Sequence, residues 1–140
     1  DFNGDRKTDM ALFSPNDNTV WTAESNGAGF NTQRVCVQHG PSTPDMFAYP
    51  DLNGDGRAEV FYKDTSRSGG GWVNSYSWPC AAPTMWVQHG PSTPNQWFFA
   101  DVNGDGKMDL VFDDKTRSKQ YWVSISYGTG FYPASPWGPQ

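Results

Sequence analysis

Cysteine, histidine and long apolar runs are scarce in this chain: it has two Cys and two His among 140 residues, and no stretch approaching the ~18 apolar residues of a membrane span. His39 and His89 share their spacing with no further His and no Cys pair, which removes the usual zinc sites. The ten Lys and Arg residues form no dense run, so a nucleic-acid face lacks its electrostatic footprint. No G-x-S-x-G elbow, Ser-His-Asp order or phosphate loop is present. Outside one recurring phrase, the carboxylates are Asp17, Glu24, Asp45, Asp64, Asp113 and Asp114. Asp64, Asp113 and Asp114 directly follow an apolar run and read as turn formers, so no catalytic pair emerges and the chain reads as non-enzymatic.

What the chain has in quantity is turn residues and rings: 15 Gly and 11 Pro, with nine Phe, seven Trp and six Tyr. That mixture predicts many short strands and no long helices. The recurring phrase is "DFNGDRKTDM" at residue 1, "DLNGDGRAEV" at 51 and "DVNGDGKMDL" at 101, an equal spacing of fifty. Nine of the fifteen acidic residues lie within it. Three divalent cations would add six charges and bring the net −5 to +1, so the acidity says little about a basic partner.

Positions 1, 3, 5 and 9 of the phrase carry oxygen side chains: Asp1, Asn3, Asp5 and Asp9, then Asp51, Asn53, Asp55 and Glu59, then Asp101, Asn103, Asp105 and Asp109. Alternate residues of a tight loop can point inward together, and position 7 (Lys7, Arg57, Lys107) adds a backbone carbonyl with its basic side chain facing water. Six or more hard oxygens at flexible geometry suit calcium better than magnesium, which demands a stricter octahedron. The expectation is three calcium ions, one per loop. Gly56 and Gly106 hold position 6, where such a loop needs a left-handed backbone, but Arg6 stands there in the first loop and predicts a strained, weaker site. An EF-hand or dockerin also begins D-x-N-x-D-G, but needs an acid at position 12 and then a helix; Leu12, Tyr62 and Phe112 occupy that position, inside strand-like runs.

Around each loop the apolar residues tend to alternate. "DMFAYP" and "NQWFFA" precede the loops; "MALF", "EVFYKD" and "DLVFDD" follow; then come "NTVWTAES", "GWVNSYSW" and "YWVSISYG", and after them "RVCVQHG" and "TMWVQHG". Four short strands every fifty residues describe a blade of a β-propeller. The fold class is all-β, with about three blades of four antiparallel strands in one repeat region, residues 1–140. Its units are 1–44, incomplete and lacking a first strand, 45–94, complete, and 95–140, complete but truncated at its end, "SPWGPQ". Since propellers have four to eight blades, the expectation is a piece of a larger propeller or a protomer of an assembly, not a lone monomer.

The phrase D-x-N-G-D-G-x-x-D-L/V followed by a hydrophobic strand resembles the FG-GAP/VCBS repeat, the calcium-loop blade of integrin-α-type propellers and many secreted microbial proteins. The resemblance covers nearly the whole chain and implies calcium ligation by the twelve side chains named above. It leaves function open, because the family serves adhesion, lectin activity and enzyme appendages alike.

Blade topology sorts the connections onto two ends. The calcium loops share theirs with "SNGAGFNTQ", "SWPCAAPT" and "YGTGFYPASP". The opposite end gathers Gln38, His39, Gln88 and His89 of the doubled "QHGPSTP", with Arg67 and Arg117 in neighbouring turns, as a candidate ligand face for glycans. A Pro-bracketed turn between blades is the plainer reading of that doubling. Trp21, Trp72 and Trp122 recur at one place in each unit and read as wedges between blades. Cys36 and Cys80 fall where adjacent blades can bring them together as a disulfide, and the setting is secreted or extracellular. Expected partners are other blades or copies of the chain and glycans, with no nucleic acid and no membrane span. A calcium-stabilised binding, adhesion or assembly module is the first reading of function. A non-catalytic appendage of a secreted hydrolase is the second.

Overall fold

The computed structural model describes residues 1–38, 44–67, 69–75, 80–87, 96–113 and 120–139. Most of its aromatic and β-branched runs become strands, and among the described residues there is no helix. The first sheet is β1 (Met10–Ser14), β2 (Thr19–Ala23) and β3 (Arg34–Gln38). The second is β4 (Met46–Ala48), β5 (Val60–Asp64), β6 (Gly70–Asn74) and β7 (Thr84–Val87). The third is β8 (Gln96–Ala100), β9 (Asp109–Asp113), β10 (Gln120–Ser124) and β11 (Ser135–Pro139). Within each sheet every strand pairs antiparallel with its neighbour in sequence, so the chain builds three successive meanders. This is the expected blade-like pattern, and the described residues do not close a propeller; the second and third sheets have a strand before the oxygen-rich loop that the first does not.

Each sheet carries a register shift between its last two strands, at Val20/Trp21, Gly71/Trp72 and Gln120/Trp122. The shift recurs beside the recurring tryptophan, so it is a built feature that adds twist at the outer edge. Those three tryptophans are half-buried, and Trp122 packs against the larger apolar cluster. β11 completes the four strands expected of the third unit, although "SPWGP" is poor in strand formers. Proline lacks the N–H a central strand needs, but β11 is an edge strand bonded only to β10, where that loss is tolerated.

Apolar side chains fill the space between successive sheets. Phe2, Val20, Cys36 and Val37 of the first unit meet Ala58 and Val60 of the second, with Phe13 and Phe47 stacked alongside at 4.7 Å. Leu52, Phe61 and Val73 of the second meet Trp97, Leu110, Phe112 and Phe131 of the third, and Phe61 lies 5.5 Å from the Trp97 ring.

Cys36 in β3 and Cys80, just before β7, form a disulfide across the first two sheets, with a sequence separation of 44. Closing a loop of that length is worth about 4 kcal/mol in the chain-entropy model. Replacing both cysteines with alanine is therefore expected to cost up to that amount in denaturant unfolding, and a variant as stable as the parent would refute the assignment.

Candidate functional site

The three oxygen-rich loops fold by the same local rules. The carboxylate at position 1 accepts the N–H of position 4 at 2.7 Å in every loop, through Asp1, Asp51 and Asp101. Its second oxygen accepts the N–H of position 6, from Arg6, Gly56 and Gly106, at 2.6–2.9 Å. The Asn3, Asn53 and Asn103 side-chain oxygens accept the N–H of position 5 at 2.8–3.0 Å. Asp5, Asp55 and Asp105 in turn accept that of position 7 at 2.9 Å. Such chains of Asx turns need a left-handed backbone at positions 4 and 6. Glycine supplies it everywhere except at Arg6, whose φ is 66°.

Position 9 ties the loop to the sheet. Asp9 accepts the N–H groups of Phe2 and Ser25; Asp109 accepts those of Val102 and Ser126. Glu59 accepts the Leu52 N–H at 2.7 Å and the Asn53 amide at 3.0 Å. Burial pushes the Glu59 carboxyl up to about 7, and the charges of Asp55 and Asp51 add to the effect. At position 7, Lys7 and Lys107 fold back to pair with Asp5 at 2.6 Å and Asp105 at 3.2 Å. The Lys7 side-chain bond is the largest cause of a lowered Asp5 pKa, and the Lys107 N–H plays that part for Asp105.

The loops also stand in a row. Ala58 N–H, at position 8 of the second loop, donates to the Asp1 carbonyl at 2.7 Å; Met108 N–H, its counterpart in the third, donates to the Asp51 carbonyl at 2.8 Å. The Ser126 hydroxyl donates to the Leu52 carbonyl at 2.7 Å. Loop approaches loop so closely that a Cβ on Gly4 would lie 3.3 Å from Arg57 Cγ, and one on Gly54 3.2 Å from Lys107 Cγ. Gly4 and Gly54 are thus favoured by both φ and space, and Gly104, with open space around it, by φ alone.

The donors of each loop are hard oxygens, the chemistry of an alkaline-earth ion. Among the described residues no three His, Cys, Asp or Glu side chains come together in a group that could hold a metal. The carboxylates instead take up backbone N–H groups. Each ionised carboxylate has about four lone-pair sites, and Asp51 uses two of them on Gly54 and Gly56. The donors are of the type a hard cation takes, and the Asp51 carboxylate keeps lone pairs beyond the loop's own bonds.

At the opposite end of the strands, a groove of about 430 Å³ opens between the second and third sheets, lined by Asp45, Met46, Lys63, Gln96, Trp97 and Phe98. Lys63 Nζ sits 5.5 Å from the Trp97 ring centre, and Asp45 accepts the Thr65 N–H at 2.7 Å. Of the candidate ligand face, Gln38 is exposed at the end of β3, paired with Thr19, and Arg67 lies over Trp72 at 5.7 Å and beside Asp64 at 3.6 Å. His39, Gln88, His89 and Arg117 lie outside the described residues. Sequence reasoning overlooked Asp45, Lys63 and Gln96. The available signal was positional: all three sit at the strand ends farthest from the oxygen-rich loops.

Residues 1–62 match the family model described as an FG-GAP-like repeat, which spans the first loop, the second loop and the start of the second sheet. The resemblance carried by the D-x-N-G-D phrase is thereby shown for that stretch. No curated protein and no solved structure matches the chain.

Two outcomes follow. Arg6→Gly removes a side chain from a left-handed position while keeping the N–H bonded to Asp1. It is expected to stabilise the fold by up to about 1 kcal/mol, read as a higher thermal midpoint, and a lower midpoint would contradict the strain at Arg6. Glu59 titrates higher folded than its ordinary 4.5, so in chelator the stability its neutral form confers is full below 4.5 and lost as pH rises to about 7. Glu59→Gln should flatten that fall, and an unchanged pH profile would count against the burial effect.

Proposed function

We propose that the chain is an extracellular, calcium-stabilised β-propeller repeat module that binds glycans at the end of its sheets away from the oxygen-rich loops. The observation that carries this reading is the threefold repetition of the loops, in which the side chains of positions 1, 3 and 5 accept the same N–H groups each time. A sequence that needed only turns between strands would have no reason to keep carboxylates at three fixed positions, where without a cation they repel one another. Calcium, held by the side chains of positions 1, 3, 5 and 9, would neutralise that repulsion. The residues themselves orient the loop, and they do so through backbone hydrogen bonds already in place. A disulfide agrees with an oxidising, extracellular setting, where calcium is plentiful and weak sites suffice.

The groove supports the glycan part of the reading. Asp45, Lys63 and Gln96 offer acceptor, cation and amide, and Phe98 offers a half-exposed ring against which a pyranose can rest. This assigns no catalytic residue, and the partners are glycans together with further repeat units or copies of the chain.

A glycan array run with calcium and with chelator tests the reading, alongside melting curves. Chelation is expected to lower the midpoint markedly, because an ion bound only by the folded state stabilises it by mass action. Lys63→Ala is expected to weaken glycan binding about tenfold or more, the worth of one charged hydrogen bond. An unchanged midpoint sinks the calcium role, and an array blank with folded protein sinks the glycan role.

A further inference from the structure

We infer that Ser126 is a positioning residue shared by the second and third oxygen-rich loops, and that through it these two loops take up calcium cooperatively. The inference rests on the calcium part of the reading above. It starts from a run of hydrogen bonds that crosses from one loop to the next. Glu59, at position 9 of the second loop, accepts the Leu52 N–H at 2.7 Å. The Leu52 carbonyl accepts the Ser126 hydroxyl at 2.7 Å. Ser126 N–H in turn donates at 2.8 Å to Asp109, which holds position 9 of the third loop. The position 9 carboxylates of two loops are thus joined through Leu52 and Ser126, and all four residues are buried.

A second bond runs beside this one. Met108, next to Asp109 in the chain, donates its N–H to the Asp51 carbonyl at 2.8 Å. The third unit therefore holds two successive carbonyls of the second loop, those of Asp51 and Leu52. Gly128 N–H donates to the Ser126 oxygen at 3.2 Å, and a Cβ on Gly128 would lie 3.9 Å from Asn53 Cα, so the turn that carries the serine rests on the second loop. The local part of the arrangement belongs to the repeat: Ser25 donates its N–H to Asp9 at 2.7 Å and accepts the Gly27 N–H at 3.2 Å. Ser126 adds the bond across to another loop.

Buried hydrogen bonds are costly to leave unmade, so the groups they join are ordered together. Fixing Glu59 fixes the Leu52 peptide, Leu52 fixes Ser126, and Ser126 fixes Asp109. Conformational freedom lost when one loop is ordered is then not lost again in the other, and the loop filled second is already held. Such coupling is reciprocal, each loop raising the affinity of the other by the same factor.

Calcium titration of the isotope-labelled full chain, followed by NMR, tests it. The Gly56 and Gly106 N–H groups each bond the first aspartate of their own loop, so their signals report the two loops separately. Asp105→Asn removes a carboxylate from the third loop and is expected to weaken uptake read at Gly56 by about fivefold or more. Asp55→Asn should weaken uptake read at Gly106 by the same factor. Ser126→Ala should shrink both factors, and Ser126→Thr, which keeps the hydroxyl, should retain them. A serine that served only the fold would change affinities without changing the factor that links them. If Ser126→Ala fails to fold, the reciprocal pair still decides, because it leaves Ser126 in place. Loops that fill independently, or factors unchanged in a folded Ser126→Ala, would overturn the inference while calcium binding stands. Glycine signals that ignore millimolar calcium would overturn it together with the calcium reading.

Discussion

The first aspartate of each loop faces two ways, and the architecture depends on it. Its carboxylate gathers the N–H groups of its own loop, and in the first two loops its carbonyl accepts an N–H from the loop of the following sheet. Local loop conformation and the spacing between sheets are thereby set by one residue. A loop that lost its turn would also misplace the carbonyl on which its neighbour hangs. Strain at Arg6 is consequently felt beyond the first loop, since Asp1 both bonds Arg6 and receives Ala58.

Hydrogen bonds set the spacing; the rings between the sheets supply the favourable burial. Phe13 against Phe47, and Phe61 against Trp97 and Phe99, bury large apolar areas between sheets that would each be too small to persist alone. Because each sheet is covered mainly by its neighbours, stability here is a property of joints more than of units.

Most of this order was legible in the sequence because it is periodic. Three copies of one phrase located the loops, and alternation around Val20, Tyr62 and Phe112 located the strands that bury those residues. The strained Arg6 could be read because its counterparts are Gly56 and Gly106, and its φ of 66° agrees. β11 could be expected only from the repeat, as the fourth strand of a complete unit, since its two prolines argue locally against a strand and its edge position permits one. The groove escaped for a different reason: Asp45, Lys63 and Gln96 come from different strands of two sheets, and no local pattern announces that they meet. The interloop bonds escaped likewise, being backbone contacts to which side-chain identity contributes only through the glycine that makes room.

The two joints inside the chain are not equal. The first is held by packing, a hydrogen bond and a covalent bridge from Cys36 to Cys80 at the far edge of the sheets. The second has packing and hydrogen bonds but no bridge, since the chain's only two cysteines are already spent on the first. A tensile load applied to the ends of the chain would therefore not be shared evenly. The span from Cys36 to Cys80 could not lengthen, whereas β1 and β2 before it and the whole third sheet after it could. Under tension the chain is an inextensible middle flanked by two yielding ends.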